Sequence, residues 1–331
     1  IPSGIDPETG VVRGTAIKSD LTGIVGAYKL GNLLGKALDY QGEINVLDIG
    51  LASPYEVSRR YVDIQSCKLE IPVLKHDINK YTKGAGVFIG GRDSMMGSIQ
   101  MSAQSGLKSG LGISFVYTKT EYPYTQFYPE LIMDDIRGES LIERLKKASV
   151  VVFGPGMPEK DADYIQLMNQ ILELDVPIVI DASGLSYLDL NRDYHGKKIV
   201  VTPHIGELGK LFKVSPSDIK MMPLDFIKNL TDIGIRVILK GATTIIQNEV
   251  ETIFVQAKNP GLATAGSGDV LDGILAGFLV HQDIDKAILS AVCLHTKTAK
   301  LAANKVGTIS LTASDIINHI SEAIMKEEHH V

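Results

Sequence analysis

The sequence contains no tryptophan and only two cysteines, and aromatic residues make up 6% of its 331 residues. Cys67 and Cys293 lie far apart in the chain without metal-ligand spacing, so the sequence gives no basis for a disulfide framework or a zinc site. We interpret them as two reduced, inert thiols of a cytoplasmic protein. The formal net charge of −6 also disfavours nucleic acid as a partner, because such binding needs a basic surface.

Long apolar runs are absent as well. No stretch reaches the roughly 18 to 20 uninterrupted apolar residues that cross a bilayer, and no basic segment followed by an apolar one opens the chain. We therefore expect a protein without a membrane partner. With 44% hydrophobic residues and 32 glycines, the length suits two ordinary domains or one large α/β domain with an extension.

Short apolar runs alternate with helical stretches, a pattern typical of a parallel sheet covered by helices on both faces. The predicted buried strands are residues 87–89, 113–117, 150–153, 178–180, 199–201 and 237–239. Residues 244–247 and 252–255 flank a polar turn and predict an antiparallel hairpin at the edge of the sheet.

Ligands of such open α/β sheets bind outside the carboxyl ends of the strands. Residues that directly follow the predicted strands should therefore meet in one cleft, although they are distant in sequence. These residues are Gly90, Gly154, Asp181, Thr202 and Lys240.

The most informative stretch is residues 259–269, Asn-Pro-Gly-Leu-Ala-Thr-Ala-Gly-Ser-Gly-Asp. Gly266 and Gly268 permit backbone angles that other residues avoid, so successive amides can converge on an anion where a helix begins. Asp269 would then act as a base on a hydroxyl that attacks a nucleoside polyphosphate. The alternative is an ordinary glycine turn that caps a helix. The predicted anion hole is Ala265, Gly266, Ser267 and Gly268, and the helix stripe is Val270, Leu271, Ile274, Leu275, Phe278 and Leu279.

This stretch resembles the ribokinase-like superfamily, and its flanks resemble the ADP- or ATP-dependent NAD(P)H-hydrate dehydratases. Further motifs follow in that family's order over about residues 70–325. They are Phe88-Ile-Gly-Gly91 with Gly97-Ser98, Val151-Val-Phe-Gly-Pro-Gly156, Ile178-Val-Ile-Asp181-Ala182, Thr202-Pro-His-Ile-Gly-Glu207, Leu239-Lys-Gly-Ala-Thr-Thr244 and Leu311-Thr-Ala-Ser-Asp315. The resemblance implies an α/β, ribokinase-like fold, whose central, mostly parallel sheet is flanked by helices on both faces.

The resemblance also implies a reaction, the dehydration of the S-form of NADH or NADPH hydrate with ADP or ATP as phosphoryl donor and Mg²⁺ as cofactor. Phosphorylation turns a poorly leaving hydroxyl into a good leaving group, and loss of phosphate regenerates NAD(P)H. In the family, nucleotide binding corresponds here to Lys240, Gly241, Ala242, Thr243, Thr244 and Gly268. Substrate binding corresponds to Ser98, Gly156, His204 and Asp269.

The chain departs from the family at four places, which bear on substrate fit rather than on Asp269. They are Asn79-Lys80-Tyr81 in place of His-Lys-Gly, Pro158 in place of Gly, Asp181-Ala-Ser183 in place of Asp-Ala-Asp, and Ser98 in place of Ala. A ribokinase-like small-molecule kinase, which would release a stable phosphorylated product, is therefore the alternative function. A nucleotide-binding protein without activity is a third hypothesis, which the intact Asp269 disfavours.

Several single residues leave two interpretations open. His204 either contacts the substrate or pins its own turn, and Glu207 either touches magnesium-bound water or caps the next helix. Lys240 either holds the nucleotide or is a solvated residue at a strand end. Lys80 and Asp181 are possible site residues, whereas His295 is interpreted as a packed helix residue.

The first fifty residues resemble the closing third of an NAD(P)H-hydrate epimerase domain, through Ile1-Pro-Ser-Gly-Ile-Asp6 and later matches. We expect residues 1–53 to be the C-terminal remnant of that domain and residues 54–331 to be the dehydratase domain of a longer bifunctional repair enzyme. Ser3 matches a potassium ligand, which requires a complete epimerase domain. The alternative is an accessory arm of the dehydratase domain. The resemblance is also compatible with a homo-oligomer, in particular a tetramer.

Overall fold

The computed structural model describes residues 1–51, 58–65, 67–74, 76–119 and 125–328. In these ranges a ten-stranded sheet is covered by helices on both faces, and a smaller two-stranded sheet lies in the N-terminal segment. The boundary predicted near Ser53-Pro54 lies outside the described residues. None of the described helices is long and apolar enough to span a membrane.

The large sheet has the order β3-β12-β11-β10-β9-β8-β7-β4-β5-β6. Its neighbouring strands are parallel except at β11, which runs antiparallel to β10 and β12. The strands are β3 (Arg59–Val62), β4 (Ala85–Ile89), β5 (Ile113–Thr118), β6 (Ile132–Asp135), β7 (Val150–Phe153), β8 (Ile178–Ile180), β9 (Ile199–Val201), β10 (Arg236–Leu239), β11 (Thr243–Gln247) and β12 (Thr252–Gln256).

Two helical layers enclose this sheet, because alternate strand residues face opposite sides and are apolar on both. One layer is α1 (Met96–Lys108), α7 (Ser267–Leu279), α8 (Ile284–Val306) and α9 (Ala313–Glu328). The other is α2 (Ser140–Lys146), α3 (Ala162–Leu172), α4 (Ile205–Phe212), α5 (Pro216–Met221) and α6 (Pro223–Thr231).

The predicted architecture is confirmed in most details. All six predicted buried strands are present, and the predicted hairpin forms as β11 and β12. Its expected place at the sheet edge was wrong, because β3 pairs in parallel with the outer side of β12. The predicted helix is present as α7, and it is buried almost all round rather than on one stripe, since it lies between α1, α8 and the sheet.

The N-terminal segment packs against this body mainly through two leucines. Leu33 and Leu34 are buried in the same cluster as the α4–α6 layer. A cavity of about 450 Å³ separates residues 9–38 from the loop at Lys240–Thr243. Beyond this contact, β1 (Leu21–Val25) and β2 (Glu43–Leu47) form a parallel pair by themselves, with much of their apolar surface exposed.

The two cysteines are free thiols, as predicted, but they lie close together in space although they are far apart in sequence. Cys67 follows β3 and Cys293 lies on α8, and their Sγ atoms are 2.9 Å apart as free thiols. The separation of 226 residues carried no information about distance in space, because β3 lies at the sheet edge beside α8. The thiols therefore do have the proximity from which a disulfide could form.

Candidate functional site

The start of α7 carries the residues of the predicted anion cradle, residues 265–268. Gly266 is its N-cap residue and adopts φ +86°, in the left-handed region that favours glycine. Among the described residues, the amides of Gly268 and Asp269 have no backbone acceptor, as expected for the first turn of a helix. These free donors and the positive end of the helix dipole favour a phosphate at this point.

Both sides of the cradle are supported by packing. A Cβ atom at Gly266 would lie 2.6 Å from Met101 Cε and 2.9 Å from Ala313 Cβ. Ser267 Oγ lies 3.4 Å from Nε2 of the buried His295 on α8. Burial lowers the pKa of His295 to about 4, so this ring is neutral at pH 7. His295 is thus the packed helix residue that the sequence predicted, and it also touches the anion hole.

Substitution of Gly266 with alanine is therefore expected to destroy nucleotide binding. The left-handed backbone alone costs a side chain about 1 to 2 kcal/mol, and the new methyl group would also collide with α1 and α9. Calorimetric titration with MgADP, together with the melting temperature, would measure both effects. Gly196→Ala is the matched control, because Gly196 has φ +82° with no atom near its added Cβ. Equal losses in both variants would contradict the packing argument.

Asp269 lies on the first turn of α7, beside Ser98 and under the influence of three charged groups, Asp181, Lys240 and Glu207. Burial, and then the charge of Asp181, raise the pKa of Asp269 to about 7. The hydrogen bond from Ser98 and the Lys240 ammonium act in the opposite direction. At neutral pH this carboxyl group can consequently accept and release a proton, as a general base must.

Lys240 is the cation of the site. Its Nζ atom lies 2.7 Å from Oδ1 of the buried Asp181, and a Cβ atom at Gly268 would lie 3.1 Å from it. Burial acts to raise the pKa of Asp181, but Lys240 outweighs it and holds this pKa below its usual value. Burial acts to lower the pKa of Lys240, but its acidic neighbours, Asp181 first among them, outweigh burial and raise this pKa. Lys240 therefore stays charged beside the anion hole and is not a solvated strand-end lysine.

His204 and Glu207 form a reciprocal cap at the start of α4. His204 Nδ1 accepts the amides of Gly206 and Glu207, and Glu207 Oε2 accepts the amide of His204 at 2.7 Å. Both capping interpretations are thus borne out. Because Nδ1 is an acceptor, the neutral ring carries its proton on Nε2, which lies 3.4 Å from Glu207 Oε1 on an exposed side chain.

The residues predicted to bind substrate meet around Asp269. Ser98 hydrogen-bonds Asp269, and a Cβ atom at Gly156 would lie 3.2 Å from Ser98 Cβ. His204 joins them through a bridge to Lys240, whose amide is bonded to Pro203 O. The predicted convergence of strand ends in one cleft is therefore confirmed.

The predicted nucleotide-binding residues 240–244 run from the turn after β10 into the first two residues of β11. Gly241 and Ala242 are exposed, Thr243 is buried and Thr244 is half-buried. Of this set, Lys240 is the residue whose side chain reaches the anion hole. Lys80 is not part of the site. Its backbone packs against Gly112, which directly precedes β5 and therefore lies at the amino ends of the strands, whereas the site lies at their carboxyl ends.

One residue of the site escaped the sequence interpretation. Asp272 is fully buried one turn after Asp269, and its Oδ1 accepts a 2.9 Å hydrogen bond from Thr202 Oγ1. Carboxylate oxygens of Asp181, Asp269 and Asp272 all lie within 4.8 Å of one another. The signal was present in the sequence, since a carboxyl group inside an otherwise apolar buried helix needs a partner.

Known proteins resemble this chain in sequence over most of its length. Residues 87–322 match the family model of NAD(P)H-hydrate dehydratases. A relative from Coxiella burnetii, a bifunctional NAD(P)H-hydrate repair enzyme Nnr, is 32% identical over 331 residues. The match covers 97% of this chain and 67% of the relative, so the chain spans about two thirds of that protein's length.

Solved structures resemble the fold over most of the chain. A ribokinase-like superfamily protein from Enterococcus faecalis has a TM-score of 0.69 and 25% identity, and the match covers 84% of this chain and 99% of that one. An ADP/ATP-dependent NAD(P)H-hydrate dehydratase from Bacillus subtilis, co-crystallised with ATP/Mg²⁺, has a TM-score of 0.66 and 23% identity, covering 77% and 94%. The fold is thus ribokinase-like.

Proposed function

The chain belongs to the NAD(P)H-hydrate dehydratase family, and on this premise we propose that it dehydrates the S-form of NADH or NADPH hydrate with ADP or ATP as phosphoryl donor. The observation that carries the proposal is Asp269, a carboxyl group with a pKa of about 7 on the first turn of a helix with free leading amides. A base and an anion hole at one point are the two requirements for moving a phosphoryl group to a hydroxyl.

In the first step Asp269 removes the proton of the ring hydroxyl. The hydroxyl oxygen bonds to the terminal phosphorus of the nucleotide, and the bond from that phosphorus to the bridging oxygen breaks. Charge that develops on the transferring group is stabilised by the cradle of residues 265–268 and by the Lys240 ammonium. In the second step phosphate leaves with the electron pair of the carbon–oxygen bond, the ring gives up a neighbouring proton to water or to the departing phosphate, and the double bond of NAD(P)H returns.

A magnesium ion fits the donor set of this cleft, because most of its polar groups are oxygens, the ligands that Mg²⁺ prefers. Asp181 is already paired with Lys240, so we assign the outer contact, through water, to Glu207. When bound, the ion would neutralise charge on the nucleotide oxygens. His204 Nε2, which lies 3.4 Å from Glu207 Oε1 on an exposed side chain, would donate a hydrogen bond to a substrate acceptor.

The remaining expectations rest on the family resemblance alone. We propose that residues 1–53 belong to an epimerase domain, in which the exposed Ser3 contributes to a potassium site once that domain is complete. We also propose a cytoplasmic homo-oligomer, with a tetramer as the first form to test.

The reaction would be tested by mixing the protein and Mg²⁺ with NADH hydrate and either ADP or ATP. We expect absorbance in the reduced-nicotinamide band to recover while one phosphate is released for each NADH formed. The faster nucleotide identifies the preferred donor. A stable phosphorylated hydrate without NADH would contradict the dehydratase assignment and favour the kinase alternative.

Asp269 also predicts the pH dependence. A base works only when deprotonated, and burial with the neighbouring Asp181 raises its pKa to about 7. We therefore expect kcat/KM to rise about tenfold for each pH unit below 7 and to level off above it. The profile of His204→Asn is the control, because asparagine keeps a capping oxygen for α4. Loss of the acidic limb in this variant would contradict the assignment of the limb to Asp269.

A further inference from the structure

Asp272 has no role in the reaction as written so far, yet it lies at the centre of the charged groups. It belongs to the same face of α7 as Asp269, one turn further on, and none of its surface is exposed. Its Oδ1 atom accepts the Thr202 hydroxyl, while its Oδ2 atom has no hydrogen-bond donor among the described residues. A buried carboxylate oxygen in this condition is costly unless a proton occupies it.

The group that faces this oxygen is another carboxyl group. Carboxylate oxygens of Asp181 and Asp272 lie within 4.8 Å of each other, and two buried carboxyl groups this close favour a proton on one of them. Lys240 decides which partner keeps the negative charge, because its ammonium lies 2.7 Å from Asp181 Oδ1. The arrangement is therefore a chain from Thr202 through Asp272 and Asp181 to Lys240.

We propose that Asp272 is a neutral carboxylic acid that donates its proton to Asp181 and so positions the Asp181–Lys240 ion pair beside the anion hole. This assignment rests on the proposed function for its purpose, but its protonation can be tested without turnover. Asp272 is a positioning residue, since it acts on the nucleotide phosphates only through Asp181 and Lys240. The charged groups that face it are Asp181 after β8, Lys240 after β10 and Asp269 on its own helix.

The electrostatics agree with the geometry. Burial, and then the charge of Asp181, raise the pKa of Asp272 well above its usual value, while Lys240 acts in the opposite direction. A neutral Asp272 also limits the negative charge beside Asp269, because Asp181 then remains as the one ionised carboxylate of the pair. The site can thus hold an anionic nucleotide next to several acidic residues.

The first test is the infrared spectrum of the protein without nucleotide. At pH 9 Asp269 is ionised, so we expect a protonated-carboxyl band that persists in the wild-type protein and disappears in Asp272→Asn. Absence of any such band in the wild-type protein at pH 9 overturns the proposal, whether or not the variant folds. Persistence of the full band in a folded Asp272→Asn protein overturns it as well.

The second test compares Asp272→Asn with Asp272→Leu by calorimetric titration with MgADP. The asparagine amide reproduces both contacts of a neutral acid, since its NH₂ donates to Asp181 and its oxygen accepts from Thr202. Leucine has a similar size but removes both contacts, so we expect MgADP to bind about tenfold or more weakly than to the asparagine variant. Equal weakening in the two variants would show that Asp272 acts as an anion.

These measurements keep the two proposals apart. Failure of the protein to dehydrate NADH hydrate would remove the proposed function and leave the infrared band and the MgADP affinities interpretable. Conversely, normal dehydration with a charged Asp272 would remove this inference alone.

Discussion

Replacement of Asp269 with asparagine is expected to lower turnover of NADH hydrate by about 10²- to 10⁴-fold, the usual contribution of a general base. The amide has nearly the same size and can still accept from Ser98, so α7 and its amides should remain in place. It cannot take the proton of the attacking hydroxyl. The measurement is the single-turnover rate of NADH formation at saturating MgADP or MgATP.

A binding measurement and a control variant distinguish an effect on the chemical step from an effect on folding. The affinity for MgADP should be retained or improved in Asp269→Asn, because a negative charge is removed beside the phosphates. Asp225→Asn is a matched control, since Asp225 is also an acidic residue in the first turn of a helix, α6. A variant at position 269 that keeps more than a tenth of the wild-type rate would place the base elsewhere.

Replacement of Lys240 with methionine is expected to have the second large effect, on stability as well as on binding. The buried Asp181 would lose its ion-pair partner, and breaking one side of a buried pair typically costs about 3 to 5 kcal/mol. The anion hole would also lose the neighbouring ammonium group of Lys240. Urea unfolding and MgADP titration would measure the two losses separately.

The structure supplies a control and a rescue for Lys240→Met. Lys210→Met removes an exposed ammonium that pairs with Glu159 at 3.4 Å, so its stability should change by less than about 1 kcal/mol. Adding Asp181→Asn to Lys240→Met should restore much of the lost stability, because the unpaired buried charge is gone, but it should not restore MgADP affinity. Restored affinity would mean that Lys240 serves the fold and not the nucleotide.

The sequence was sufficient for the fold and for the cradle because both depend on local patterns. Buried parallel strands are short runs of apolar residues, and the loop at Gly266 needs a residue that tolerates a positive φ. Strands β3 and β6 were not predicted, since Arg59–Val62 and Ile132–Asp135 are short and carry charged residues. They belong to the sheet through pairing with partners distant in the chain.

The contacts between the charged residues of the site could not be predicted in the same way. Asp181 and Lys240 each followed a predicted strand, yet their ion pair depends on the order in which the strands assemble. Asp272 was read as part of a helix, and its contact with Thr202 joins residues 70 apart in sequence. The contact of Cys67 with Cys293 has the same origin in tertiary packing.

The parallel pair β1–β2 affects how strongly the protein self-associates in solution. Among the described residues its outer strand edges have no hydrogen-bonding partner, and Leu21, Val25, Val46 and Leu47 are about half exposed. Unpaired strand edges beside exposed apolar side chains can pair with strands of other chains, so they promote aggregation at high protein concentration. The first fifty residues therefore contribute an exposed strand edge that favours aggregation of this polypeptide.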